Sequence, residues 1–104
     1  MDLGISTNPT PECYTISVAG EIDISNAASL RNAIDLALEQ PTDEVKLDFA
    51  QVSYIDSTGI GVLVGAAHHA QEHGKRFGCV NAQPGVMRVV QLLGVDQEIS
   101  ITAA

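Results

Sequence analysis

The side chains most suited to chemistry lie in the segment SYIDSTGIGV, at positions 53–62. Two neighbouring hydroxyl residues, Ser57 and Thr58, directly follow the carboxylate of Asp56. A hydroxyl in this setting can serve as a nucleophile, accept a phosphoryl group or cap the start of a helix. The surrounding residues, and the elements that position the pair, decide between these roles.

Two glycines follow the hydroxyl pair, Gly59 and Gly61. Glycine inside a helix costs up to about 1 kcal/mol relative to alanine, so some other interaction should offset that cost. The usual reason is the close approach of another backbone, and a partner protein would supply one. A purely structural interpretation stays open, in which Asp56 or Ser57 caps the helix and the glycines form a tight turn.

Catalytic interpretations of the same segment are incomplete. A nucleophile elbow needs glycine two residues before the serine as well as after it, and Ile55 occupies that position. An aspartic-protease loop needs glycine directly after the hydroxyl residue that follows the aspartate, where Thr58 stands. It also needs a second carboxylate loop, which a chain of this length would have to borrow from a dimer. Neither catalytic interpretation of this segment is therefore favoured, and we predict no catalytic residues in it.

A second cluster is HAQEH, which places His69 and His73 four residues apart with Glu72 between them. This matches the H-x-x-E-H signature of an inverted zinc protease, and the spacing puts both imidazoles on one helix face. No further ligand is evident, however, and histidines also suit the last turn of a helix because they interact well with its dipole. We predict a solvated helix end, with no metal. Neither a Walker loop nor dinucleotide spacing is present, so we expect no cofactor.

Length and charge limit the remaining function classes. The 104 residues predict one domain, residues 1–104, and a hydrophobic content of 45% excludes a disordered chain. There are 13 acidic and 5 basic residues, and the net charge of -8 argues against binding to nucleic acid or to anionic membranes. We expect no signal peptide, no membrane span and a cytoplasmic location, with Cys13 and Cys79 as buried thiols.

Hydrophobic periodicity predicts an α/β fold with a mostly parallel sheet of four to five strands. Strand 44–49 alternates apolar and polar side chains, so helices should cover mainly one face of the sheet. Ser25 is the expected N-cap of the first helix, and Pro84 should open the last one. The predicted strands are 13–20, 44–49, 76–81 and 98–102, with an extra strand near 3–6, and the predicted helices are 25–40, 57–74 and 84–94.

Three segments give the chain a family resemblance. They are GEID at 20–23, VKLDFAQVSYIDSTGIGVLVGA at 45–66 and GVMRVVQLLGVDQEISI at 85–101. Together these segments resemble the STAS domain of bacterial anti-sigma factor antagonists over nearly the whole length.

The resemblance implies a switched binding protein of a partner-switching pathway. Ser57 would accept a phosphoryl group from ATP bound by a partner, an anti-sigma factor that is also a serine kinase. The unphosphorylated form would bind that kinase and free the sigma factor for transcription, and a phosphatase would restore it. A non-phosphorylated scaffold subunit, as in a lipid-transport ATPase complex, is the alternative within the same fold. The partner-binding residues that the resemblance implies are Asp23, Asp56, Ser57, Thr58, Gly59 and Ile60.

Overall fold

The structure, a computed structural model, describes residues 2–104. It contains five strands and three helices. The strands are β1 (Gly4–Pro9), β2 (Cys13–Ile22), β3 (Glu44–Ile55), β4 (Arg76–Ala82) and β5 (Ser100–Ala103). The helices are α1 (Ala27–Leu38), α2 (Ser57–Glu72) and α3 (Pro84–Leu92).

The five strands form one sheet in the order β1-β2-β3-β4-β5. Within residues 2–104, only β1, the first strand, runs antiparallel to its neighbour, and the other three pairings are parallel. Each parallel connection passes through one helix, as parallel strands require. The predicted α/β class with a mostly parallel sheet is confirmed.

Strand register explains why one face of the sheet is buried. One row across the sheet joins Ile16, Leu47, Cys79 and Ile101, and the first three of these side chains are buried. The adjacent row carries Ser17, Asp48 and Val80, which are exposed or half-buried. All three helices contribute to the single core on the first face, as predicted. Their buried side chains include Leu30, Ile34, Leu63, Val86 and Val90.

Strand β3 is longer than the prediction, because it continues to Ile55 rather than ending near residue 49. Its pairing with β2 shifts register twice, and each shift adds one residue to β3. The first shift lies beside Asp48, whose carboxylate accepts a hydrogen bond from the backbone N–H of Ala50 at 3.0 Å. These bulges keep Val52 and Ile55 buried, so most of the segment between the predicted strand end at 49 and the predicted helix start at 57 is in fact strand.

The helix boundaries agree in part with the prediction. Pro84 occupies the first turn of α3, and Gly74 and Gly94 follow the ends of α2 and α3 with φ of 67° and 68°. Glycine adopts this left-handed conformation without the cost of a Cβ atom. The predicted N-cap Ser25 is wrong, because α1 begins at Ala27 and Asn26 holds the N-cap position.

The two cysteines differ in their surroundings. Cys79 is buried in the core, and burial raises the pKa of its thiol to about 12. Cys13 opens β2 and is only half-buried, which corrects the prediction that both are buried. Both thiols are free. Among residues 2–104, no helix combines the length and the apolar character needed to span a bilayer.

Candidate functional site

The ends of β2 and β3 bring two of the predicted site residues to the same edge of the sheet. Ile22 and Ile55 are paired in the parallel register, and each is followed at once by an aspartate, Asp23 or Asp56. The backbone N–H of Asp56 donates to the carbonyl oxygen of Ile22 at 3.1 Å, which joins the two strand ends. Both carboxylates therefore leave the sheet at neighbouring positions.

Asp56 is the N-cap of α2. Its backbone is extended, with φ of -100° and ψ of -177°, and its side chain accepts a hydrogen bond from the N–H of Gly59 at 3.0 Å. Its carbonyl oxygen accepts the N–H of Ile60, also at 3.0 Å. The carboxylate thus satisfies one of the free donors at the helix start.

Ser57 and Thr58 are the first two residues of α2, and both are exposed. Within residues 2–104, neither backbone N–H has a protein acceptor, as is normal for a first helical turn. Two free N–H groups and the positive end of the helix dipole therefore lie beside the hydroxyls. Such a helix end tolerates an anion, including a phosphate carried by one of these side chains.

Gly59 and Ile60, two of the predicted partner-binding residues, are buried against the sheet. A Cβ atom on Gly59 would lie 2.7 Å from Cγ2 of Ile22 and 2.7 Å from Cγ1 of Ile55. The sheet of this chain therefore makes a close approach that this glycine permits. For Gly61 the space above the Cα is open, with no atom within 4 Å of an added Cβ.

Asp23 begins a turn whose polar groups bond to one another. Its carboxylate accepts hydrogen bonds from both the hydroxyl and the backbone N–H of Ser25, and these bonds lower the pKa of Asp23. Its own N–H donates to the side-chain oxygen of Asn26 at 2.9 Å. The amide nitrogen of Asn26 in turn donates to the carbonyl oxygen of Glu21 at 2.8 Å. Asp23 is half-buried, so it lies near the site without being fully open to it.

A groove separates the N-terminal halves of α1 and α2, and Thr58 lies on its rim. Ile24 stands beside it with 79% of its surface exposed, although it is a large apolar residue. Sequence reasoning missed both Ile24 and the groove. The sequence does contain a signal for Ile24, because this large apolar residue lies between Asp23 and Ser25 in a polar connection. The groove is lined by Ile24, Ala27, Ala28, Arg31, Thr58, Gly61 and Val62.

The histidine cluster lies at the opposite end of α2. His69 is in the last turn and His73 is the C-cap residue, as the sequence predicted for a helix end. Across residues 2–104, no three histidine, cysteine or acidic side chains converge as a metal site. The cluster is therefore separate from Ser57 and supplies no ligand set of zinc-protease type.

Comparisons with known proteins agree with this fold. A family model described as Mlab, STAS domain, matches residues 5–102. The anti-sigma-B factor antagonist of Bacillus subtilis (strain 168) is 29% identical over 103 residues, which cover 99% of this chain and 94% of that protein. The solved anti-sigma factor antagonist SpoIIAA, in its unphosphorylated form, has a TM-score of 0.79 and 24% identity, covering 96% of this chain and 89% of its own. The phosphorylated form of the Bacillus cell fate determinant SpoIIAA gives a TM-score of 0.72 at 22% identity, over 96% of this chain and 92% of its own.

Proposed function

The chain belongs to the STAS domain family, and on this premise we propose that it is an anti-sigma factor antagonist switched by phosphorylation of Ser57. Antagonists of this kind act by binding, so the chain is a regulatory protein and not an enzyme. In its unphosphorylated form it binds an anti-sigma factor that is also a serine kinase, in the cytoplasm, and so frees the sigma factor. Phosphorylation ends that binding, and a phosphatase restores it.

The observation that carries this proposal is the position of the Ser57 hydroxyl. It is exposed at the first residue of α2, beside the capping carboxylate of Asp56 and at the edge where β2 and β3 end together. A kinase can reach such a hydroxyl without unfolding the domain. The phosphorylated form of SpoIIAA, which shares this fold, further supports a phosphorylated state.

The reaction itself takes place with groups that the kinase supplies. The Ser57 oxygen forms a new bond to the γ-phosphorus of ATP, while the bond from that phosphorus to the β–γ bridging oxygen breaks and ADP leaves. The hydroxyl proton passes to a base of the kinase. The antagonist contributes only an accessible oxygen and a helix end whose free N–H groups accommodate the product.

Charge explains how the product blocks binding. A phosphate adds roughly -1.5 to -2 charges next to Asp56, in a chain that already carries a net charge of -8. An unpaired charge buried in an interface costs about 2–5 kcal/mol, or roughly thirty- to several-thousand-fold in affinity. The fold itself should persist, so the switch acts on the contact surface and needs no large movement.

The direct test measures affinity for an anti-sigma factor/serine kinase of the source organism with Ser57→Asp and Ser57→Ala. Ser57→Asp should lose roughly thirty-fold or more in affinity. Ser57→Ala should stay bound to the kinase even when ATP is present, because it cannot be phosphorylated at this position. Intact-mass measurement should show one added phosphoryl group on the wild-type chain and none on Ser57→Ala.

Ser29→Ala is the matched control, because Ser29 is another exposed hydroxyl residue but lies on α1. It should bind and be phosphorylated like the wild type. Unchanged affinity of a folded Ser57→Asp chain would refute the charge mechanism. Phosphoryl transfer to Ser57→Ala would refute the assignment of the acceptor.

The alternative is a fixed scaffold subunit of a multiprotein complex, such as a lipid-transport ATPase, which docks at the same edge without phosphoryl transfer. The description of the matching family model, which names Mlab, favours keeping it. The exposed apolar side chains of Ile24 and Tyr54 also suit a permanent contact. Stable binding of a partner with no transfer of labelled phosphate from ATP would favour the scaffold.

A further inference from the structure

We propose that His69 and His73 form a two-ligand site for one divalent transition-metal ion of the Zn²⁺, Ni²⁺ and Cu²⁺ class. The site lies at the C-terminal end of α2, roughly 18–24 Å along the helix from Ser57 at 1.5 Å per residue. It is independent of the proposed function, and it replaces the prediction from the sequence that this helix end holds no metal. Imidazole nitrogen is a preferred ligand of these three ions.

The first support is the geometry of the two rings. The histidines are four residues apart, and the turn between them stays closed because the N–H of His73 donates to the carbonyl of His69 at 3.2 Å. The ring centroids are 4.6 Å apart, with an angle of 69° between the planes. Histidines at this helical spacing can bind one ion together.

The second support is an oxygen atom next to Nδ1 of each ring. Nδ1 of His73 lies 3.0 Å from the carbonyl oxygen of His69. Nδ1 of His69 lies 3.6 Å from a carboxylate oxygen of Asp35 on α1. The carbonyl oxygen is within hydrogen-bond distance of His73 and favours a proton on its Nδ1, whereas the Asp35 carboxylate is too distant for a hydrogen bond and attracts a proton to Nδ1 of His69 by its charge alone. A proton on Nδ1 leaves the lone pair of Nε2 free for a metal. Metal-binding histidines in proteins generally have such an acceptor behind the ring.

Access and charge agree with this assignment. The side chain of His69 is 43% exposed and that of Asp35 is 48% exposed, while His73 lies on the surface. The excess of acidic residues attracts cations. Since no third protein ligand converges there among residues 2–104, water would complete the coordination.

Metal binding should stabilise the folded chain, because it fixes two residues that only the folded helix brings together. The carboxylate of Asp35 would couple the ion to α1, so metal binding should stabilise both α1 and α2. Lys75, just beyond the site, already links the segment after α2 to the end of α1 by donating to the carbonyl oxygens of Leu38 and Gln40.

The test is calorimetric titration of Zn²⁺ into the full chain, purified without a histidine tag. The wild type should bind one ion per chain and melt at a higher temperature in its presence. His69→Ala and His73→Ala should lose both effects. His68→Ala is the matched control, because this exposed histidine lies next to the pair but not on its face, and it should bind like the wild type.

Asp35 is a positioning residue in this proposal. Asp35→Asn should weaken Zn²⁺ binding by about 10-fold or more, with unchanged melting when no metal is present. Nitrogen-15 spectra of the imidazoles should show both rings protonated at Nδ1 in the metal-free chain. Equal binding by wild type and His69→Ala, loss of binding in His68→Ala, or protons on Nε2 would each overturn the site.

Discussion

The loop after β2 and the loop after β3 leave the same edge of the sheet side by side, and both begin with an aspartate. In the first loop, Asp23, Ser25 and Asn26 bond to one another and to the backbone before α1 begins. In the second, Asp56 bonds to the backbone and α2 begins at once with Ser57, which is exposed. The first loop uses its polar groups to hold its own shape, whereas the second leaves Ser57 exposed, as the proposed function requires. Similar residues at similar positions therefore have different roles, which their hydrogen-bond partners reveal.

The largest expected difference in stability between the loops comes from Asn26→Ala compared with Ser57→Ala. Asn26 is buried, and its side chain links Asp23 to Glu21, so its loss should lower the free energy of unfolding by about 1–3 kcal/mol. Ser57→Ala should change that free energy by less than about 0.5 kcal/mol, as for most surface positions. Urea unfolding of both variants checks this. If both variants lost the same free energy of unfolding, Asn26 would not be more important to the fold than Ser57, which contradicts the comparison of the two loops.

Gly59→Ala should reduce the free energy of unfolding by roughly 1–2 kcal/mol, because overpacking against Ile22 and Ile55 outweighs the better helix propensity of alanine. Gly61→Ala is the matched control two residues later, where the space is open. It should stabilise the chain by up to about 1 kcal/mol. If Gly59→Ala also stabilised the chain in urea unfolding, the glycine would not be needed for packing against the sheet.

Asp56→Ala removes the side-chain cap of α2 and should cost about 1 kcal/mol of stability. The replacement removes one hydrogen-bond acceptor at the helix start, so the effect should be confined to the first turn. Amide hydrogen exchange should show faster exchange at Gly59 and little change at the far end of α2. Uniform acceleration along the helix would indicate that Asp56 has a wider structural role.

The smallest expected effect concerns the pH dependence of Asp23. The hydroxyl of Ser25, followed by its backbone N–H, holds the pKa of Asp23 below its ordinary value of 3.8. A lowered pKa in the folded chain means that the contribution to stability is present above 3.8 and is lost as the pH falls through the folded value. Ser25→Ala should therefore raise this pKa toward 3.8, which a carboxyl NMR titration would detect. If the pKa of Asp23 were unchanged in Ser25→Ala, the hydroxyl of Ser25 would not be the main cause of the lowered pKa.

Sequence patterns predicted the order of elements, because alternation and helical spacing report directly which side chains face the core. The family resemblance, rather than any pattern, implied that Asp23 and Asp56 belong to one partner-binding surface. Sequence patterns could not predict the two bulges of β3, since these depend on pairing with β2. Nor could they show that Gly59 faces Ile22 and Ile55, because the glycine pattern is the same whether sheet or partner makes the close approach. Ser25 was a reasonable cap by residue type, but hydrogen bonding to Asp23 outcompeted that role.

The unequal cysteines offer a practical consequence for measurement. With the thiol of Cys79 inside the core and its pKa raised to about 12, a maleimide dye should attach first at Cys13. Cys13 begins β2, whereas Ser57 follows the end of the parallel neighbour β3, so the two lie at opposite ends of the sheet. At about 3.3 Å per residue, the ten residues of β2 place the dye roughly 30 Å away. The native chain thus offers a labelling site at Cys13. A dye attached there can report docking of a labelled partner at the start of α2 by energy transfer, without an engineered cysteine.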